Sequence, residues 1–156
     1  MTGHRPARGS ALLAAFGALA ALSGRGLDLK VNCVVTLQNV DHLRELVDAL
    51  RPYPDVALKF SMVEPKGGGK ALFAALMPRV ADAAAKVVDA IAYGLAHAPA
   101  QRFAHGGFPL CLMPGHEQRY ADLRTDQYWS MTEIGEPDFF PVDDRNKLQP
   151  DETCRD

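Results

Sequence analysis

Two cysteines in stretches without a regular hydrophobic period are the residues best suited to chemistry. Cys111 lies in GGFPLCLMPG, residues 106–115, and Cys154 lies in PDETCRD, residues 150–156. Thiolates on irregular loops hold iron–sulfur clusters, because loop backbone can point peptide N–H groups at the sulfur atoms. Two thiolates do not hold a four-iron cluster alone. The structural alternative is that a thiol serves as a small apolar filler.

The third cysteine, Cys33, lies in a β-branched run and is expected to pack in the core. The three cysteines are far apart and form no CxxC pair, so neither the usual zinc spacing nor a disulfide framework is present. We therefore expect a reducing, cytoplasmic environment.

The stretch EPKGGGK, residues 64–70, follows a predicted strand and offers two kinds of site. Lys66 and Lys70 flank three glycines, as in a phosphate cradle, but neither the Walker A spacing nor GxGxxG is present. A flexible loop tip is the structural alternative. Glu64 is a carboxylate at a strand end, suited to binding or acid–base work, and its structural alternative is a solvated loop acid.

The five histidines show no paired metal-ligand spacing such as HExxH. His105 and His116 flank Cys111, so a mixed histidine and cysteine site is one interpretation, and surface or capping histidines are the other. Ser61 and Ser130 lack the GxSxG surroundings of a serine nucleophile.

Two or three strands must position these residues. LDLKVNCVVT, residues 27–36, begins with alternation and ends in an apolar β-branched run, which predicts a strand buried on both faces. VALKFSMV, residues 56–63, predicts a second strand, and QRFAH, residues 101–105, has the composition of a short third one.

Helical spacing of apolar residues predicts helices between the strands. The first runs over residues 40–50 with Asn39 as its N-cap, and the second runs from about Pro78 to His97. Around residues 116–123 a short helical segment is expected, followed by an aromatic-rich tail that forms an ordered hairpin or wrap.

The N-terminal apolar run, residues 11–22, allows two interpretations. Leu12, Phe16, Leu19 and Leu22 recur at helical spacing, which indicates an amphipathic helix. Basic residues before the run and small residues after it are also the outline of a signal peptide over residues 1 to about 24, and the protein would then be secreted. A membrane span is not expected, since about 20 apolar residues are needed.

The alternation of helices and strands with short connections is the sequence form of βα units in an α/β fold. Two or three parallel strands make a poor sheet alone, because their outer edges stay unpaired and apolar. We therefore expect a piece of a larger fold, or a chain that completes its sheet by oligomerising. A net charge of −2 gives no reason to expect nucleic acid or an anionic membrane as a partner.

Several of these stretches together resemble the C-terminal half of radical S-adenosylmethionine enzymes that carry a SPASM or twitch-type auxiliary cluster region. The likeness is carried by GLDLKVNCVVTLQNVDHLRELVDAL, VALKFSMVEPKGG, PRV with the long helix after it, GFPLCLMPG and PDETCRD. In that family a partial (β/α)6 barrel binds a 4Fe–4S cluster and S-adenosylmethionine, and reductive cleavage gives a 5′-deoxyadenosyl radical.

The resemblance implies two regions. Residues 1–105 would be the C-terminal part of a partial (β/α)6 TIM-like barrel, with residues 31–36 and 56–63 as its fifth and sixth strands. Residues 106–156 would be an auxiliary region, in which Cys111 and Cys154 ligate a cluster before and after a hairpin. The strand-end residues expected to contact S-adenosylmethionine, from their position alone, are Thr36, Ser61, Val63 and Glu64.

The sequence also departs from that family. It lacks the CxxxCxxC loop that ligates the radical-generating cluster and a GGE-like strand end that would hold the methionyl amine. Because three thiolates are needed there, we expect a catalytically incomplete chain whose missing N-terminal half or partner chain supplies the chemistry. The alternative, from another functional class, is a stand-alone α/β binding or interaction module that completes its sheet by dimerising.

Overall fold

A computed structural model of the protein describes residues 8–63 and 68–121, together with the backbone of residues 129–131 and 139–141. The helices in these ranges are α1 (Arg8–Leu22), α2 (Leu43–Leu50), α3 (Gly68–Leu76) and α4 (Val80–His97). The strands are β1 (Lys30–Val35), β2 (Ala57–Met62), β3 (Phe103–Gly106), β4 (Trp129–Met131) and β5 (Phe139–Pro141). Two single 3-10 turns, Leu110–Leu112 and Glu117–Arg119, follow β3.

The main sheet has the strand order β1-β2-β3, and both strand pairs are parallel. Helices cross between consecutive strands, as parallel pairing requires, so the predicted α/β class and the short third strand are confirmed. Separately, the backbones of β4 and β5 pair antiparallel, with Ser130 opposite Phe140.

The two faces of this sheet differ in chemistry, because successive residues of a strand point to opposite sides. One side, which we call the core face, carries Val31, Cys33, Val35, Leu58, Phe60, Met62, Phe103 and His105. The other side, which we call the open face, carries Lys30, Asn32, Val34, Ala57, Lys59, Ser61, Ala104 and Gly106.

Helices α2 and α4 bury their apolar stripes against the core face. Leu43, Val47 and Leu50 of α2 join Ala83, Ala84, Val87, Ala90 and Ile91 of α4 in one hydrophobic cluster with Phe60, which is fully buried. The expectation that β1 is buried on both faces is wrong, since Val34 is 42% exposed while Val35 is fully buried. Helices of the described chain cover the core face, so only alternate residues of β1 are enclosed.

The turn after β1 differs from the prediction. Helix α2 begins at Leu43, three residues later than expected, and Asn39 is not its N-cap. Asn39 instead closes the turn, because its Oδ1 accepts the Thr36 N–H at 2.8 Å and its Nδ2 donates to the Val34 carbonyl at 2.9 Å. The predicted start of α4 at Pro78 is two residues early, since that helix begins at Val80.

Helix α3 occupies part of the stretch expected to be a flexible glycine loop. It begins at Gly68, and Phe73 and Leu76 on its later turns are half-buried. A helix tolerates glycine best at its ends, so the favourable residues from Lys70 onward carry it. The loop-tip prediction is therefore wrong for residues 68–70, while residues 64–67 lie outside the described residues.

The predicted N-terminal helix is confirmed as α1, but only part of its apolar stripe is enclosed. Phe16 and Leu19 pack against the core, whereas Leu12 is 60% exposed. The end of α1 is fixed by Asp55, which accepts hydrogen bonds from the Ser23 hydroxyl and from the Gly24 N–H. Among the helices described, none combines the length and apolar character needed to cross a bilayer.

Candidate functional site at the open face and strand ends

The carboxyl ends of β1, β2 and β3 meet at one edge of the sheet, because the strands are parallel and in close register. Val35 pairs with Met62, and Ser61 pairs with Gly106. The next residues along the chain, Thr36 and Val63, are therefore brought to the same edge, as the sequence predicted. Glu64, the fourth predicted contact, lies outside the described residues.

Thr36 is held in a defined orientation by the turn that it begins. Its Oγ1 accepts a hydrogen bond from the Gln38 N–H at 3.3 Å. The next residue, Leu37, donates its N–H to the Leu76 carbonyl at 2.8 Å, which ties the end of α3 to this turn. A hydroxyl at this position can still donate its own hydrogen to a ligand.

Ser61 belongs to a polar cluster on the open face rather than to the strand end alone. Its hydroxyl donates to Asn32 Oδ1 at 2.7 Å, and Asn32 pairs in register with Lys59. We call Asn32, Lys59 and Ser61 the open-face cluster. The neighbouring β3 residues on this face, Ala104 and Gly106, are small.

Asn32 and Lys59 were not singled out from the sequence, although a signal for them is present. Polar residues occupy every second position in KVN of β1 and in LKFS of β2. Such alternation marks a half-exposed strand, whereas the apolar run around them favours a doubly buried one. The alternation of polar residues is therefore the sequence signal that identifies Asn32 and Lys59 as candidates for this site.

Val63 can contribute only backbone groups to a ligand, since its side chain is buried. A glycine missed by sequence reasoning lies beside it in space. Gly107 has a φ of +75°, and a β-carbon there would stand 3.3 Å from Met62 Cβ. The glycine therefore allows the chain to turn closely over the end of β2.

Cys111 is exposed on the turn Leu110–Leu112, so its thiol is accessible to metal or to reagents. The loop that carries it is anchored by Phe108 and Met113, which are both buried. Cys154 lies outside the described residues. Cys33 is half-buried against the core, as expected, and burial raises the pKa of its thiol.

Of the two histidines that flank Cys111, His105 makes defined contacts within the loop. His105 is fully buried, and its Nε2 donates to the His116 carbonyl oxygen at 2.9 Å. Its ring also contacts the rings of Phe108 and Tyr120. Burial, with a further contribution from Arg119, lowers the pKa of His116.

A mixed histidine and cysteine site is therefore not supported by the geometry. Within residues 8–63 and 68–121, no group of three or more histidine, cysteine or acidic residues is arranged to hold a metal ion. What the described geometry offers is an amide, an ammonium group and hydroxyls on and beside an open sheet face, which suits a polar organic ligand.

Comparison with known proteins identifies no relative, because no protein-family model, curated protein or solved structure matches this chain.

Proposed function

We propose that the chain is one portion of the wall of a larger β/α barrel, in a protein of the radical S-adenosylmethionine class. The observation that carries this proposal is the open face, which is polar and partly exposed although the sheet is wholly parallel. Parallel sheets are normally covered on both faces. In a β/α barrel the helices lie outside and the other face lines the interior, so helices on one face of this sheet and a partly exposed opposite face support the proposal.

The proposed ligand of this interior is the nucleoside part of S-adenosylmethionine. The groups that support it are the Thr36 hydroxyl at the strand ends and the hydrogen-bonded Ser61 and Asn32 on the open face. Val63 would contribute backbone groups, and Glu64 would contribute its carboxylate. The ribose hydroxyls and the adenine nitrogens of a nucleoside require donors and acceptors of this kind.

We propose that most of the thiolates that bind the iron–sulfur clusters come from outside this chain. Cys111 is an accessible thiol, and together with Cys154 it would supply two ligands of an auxiliary cluster. The radical-generating cluster needs three further thiolates, and the sequence has no CxxxCxxC loop. A missing half or a partner chain would therefore bind that cluster, which would supply the electron that cleaves S-adenosylmethionine.

The nucleoside proposal is tested by titrating the protein with S-adenosylhomocysteine, a stable analogue, and following backbone amide resonances by NMR. We expect shifts at Asn32, Thr36 and Ser61, and weaker binding by Ser61→Ala. Ser23→Ala is the matched control, because it removes a serine hydroxyl that bonds Asp55, which precedes the amino-terminal end of β2. Absence of shifts, or equal binding by both variants, would contradict a nucleoside site.

The cluster proposal is tested by anaerobic treatment with iron and sulfide, followed by iron analysis and visible absorption. We expect iron uptake to be lost in Cys111→Ala and in Cys154→Ala and to be kept in Cys33→Ala. A protein that stays colourless and binds no iron would contradict the auxiliary-cluster assignment.

A second candidate function, the self-pairing α/β module, is favoured by the outer edge of β1. The Leu29 carbonyl accepts from Ala57, and residues of one strand point alternately to its two sides. The backbone N–H groups of Lys30, Asn32 and Val34 therefore point away from β2. No strand pairs with this edge in the part of the chain that the structure describes.

The two candidates differ in solution behaviour. If the module pairs through β1, sedimentation analysis gives a dimer, and Val34→Lys gives a monomer, since an edge lysine opposes strand pairing. Leu72→Lys on exposed α3 is the matched control and should stay dimeric. A dimer that binds neither S-adenosylhomocysteine nor iron would favour the module over the barrel proposal.

A further inference from the structure

A cavity lies at the opposite end of the sheet from the strand ends described above. It has a volume of about 510 Å³ and opens beside the amino-terminal end of β3. Its walls come from three separate segments: the end of α4, the connection that contains Gln101, and the turn that contains Arg119. A cavity of this size accommodates a small organic molecule.

Gln101 lines this cavity and is only 4% exposed. Its Nε2 donates to the Val56 carbonyl at 3.3 Å, which fixes the orientation of the amide. The other end of the amide, Oε1, is buried and has no hydrogen-bond partner. Buried polar atoms rarely lack a hydrogen-bond partner, so Oε1 requires a hydrogen-bond donor.

Arg119 lines the same cavity from the facing turn. Its Nε is also closed to solvent and has no hydrogen-bond partner. Within residues 8–63 and 68–121, Arg119 makes no ion pair, whereas neighbouring Arg102 is bound to Asp28 at 2.7 Å. The cavity wall is therefore built from two residues that each have a buried polar atom without a hydrogen-bond partner, an acceptor on Gln101 and a cationic donor on Arg119.

We propose that this cavity binds a small carboxylate that also carries an N–H donor, in the class of amino acids and N-acylated amino acids. The carboxylate accepts from Arg119, whose half-exposed side chain can turn its Nε–H toward the cavity. The ligand N–H donates to Gln101 Oε1. A fully ionised phosphate fits less well, because it offers Oε1 no hydrogen.

The test uses N-acetylglycine as the probe and acetate as its counterpart without an N–H group. The Arg119 Nε–H resonance is followed by NMR during titration of each compound. We expect N-acetylglycine to shift this resonance and to bind more tightly than acetate. Arg119→Met should weaken N-acetylglycine binding by about tenfold or more, the usual effect of losing a hydrogen bond to a charged group.

Gln101→Met should remove the preference for N-acetylglycine over acetate, and Gln38→Met, at an exposed glutamine that does not line the cavity, is the control that should retain it. Arg119→Lys keeps the charge but not the Nε–H, and it remains informative if Gln101→Met does not fold. Equal binding of the two compounds, an unmoved Arg119 resonance, or unchanged binding in both Arg119 variants would overturn the proposal. The cavity is remote from the strand ends, so its test is independent of the barrel proposal.

Discussion

Gly94 of α4 lies directly against the ring of Phe103 at the start of β3. A β-carbon on Gly94 would stand 2.3 Å from Phe103 Cζ and less than 3 Å from both Cε atoms. Phe103 is itself only 5% exposed, so its ring has little room to move. The absence of a side chain at Gly94 is therefore what lets α4 pack closely on the third strand.

Gly94→Ala is expected to destabilise the protein by roughly 1–3 kcal/mol, the usual cost of forcing extra volume into a packed core. The matched control is Gly17→Ala in α1, where a β-carbon meets nothing within 4 Å. That change should stabilise by up to about 1 kcal/mol, because alanine favours a helix over glycine. Urea unfolding of both variants measures the difference, and equal effects would contradict the contact.

Asn39→Ala is expected to cost about 1 kcal/mol of unfolding free energy, since it removes both hydrogen bonds that close the turn after β1. Asn39→Asp keeps the acceptor for the Thr36 N–H and loses the donor to Val34, so it should cost less. Thermal unfolding of the two variants gives the order. An alanine variant as stable as the parent would show that the turn does not need Asn39.

Asp55 is expected to make stability depend on acid pH. The Ser23 hydroxyl and then the Gly24 N–H lower the pKa of its carboxyl group in the folded protein. A carboxyl group with a lowered folded pKa stabilises the protein above its unfolded pKa of about 4, and that contribution disappears as the pH falls through the folded pKa.

The measurement is denaturant unfolding of the parent and Asp55→Asn between about pH 6 and pH 3. The parent should lose more stability than the variant over this range. Asp82→Asn, which alters an exposed carboxylate in the first turn of α4, should follow the parent. A parent and an Asp55→Asn variant with the same pH profile would contradict the role of Asp55.

The cysteines are expected to differ in reactivity. Cys111 is exposed, whereas Cys33 is half-buried and its thiol pKa is raised by burial, so less of it is thiolate near neutral pH. In a Cys154→Ser background, alkylation followed by mass spectrometry should label Cys111 first. Faster labelling of Cys33 would mean that the loop around Cys111 is more enclosed than the structure shows.

The fold class and the parallel strands were within reach of the sequence, because β-branched runs and helical stripes report burial locally. Helix α3 was not, since three glycines mask the start of a helix that the residues from Lys70 onward favour. The exposure of Val34 was missed, although polar residues at every second position at the start of β1 indicate a half-exposed strand. The apolar β-branched run around them favoured burial on both faces instead.

The candidate site was predicted in part. Thr36 and Val63 reach the predicted edge because the ends of parallel strands must meet there. The partner of Ser61, Asn32, is 29 positions away in the sequence, and only strand register brings the two together. Gln101 and Arg119 carry no local pattern, since their shared cavity is built from segments that meet only in the folded chain.

The geometry of β1 has a consequence for its amide protons. Those of Val31, Cys33 and Val35 point toward β2, while those of Lys30, Asn32 and Val34 point to the unpaired side. In hydrogen–deuterium exchange the amides of Lys30, Asn32 and Val34 should therefore exchange rapidly, and those of Val31, Cys33 and Val35 should exchange slowly. If another strand paired with that side, all six amides would exchange slowly. The exchange rates of these six residues would therefore detect the pairing.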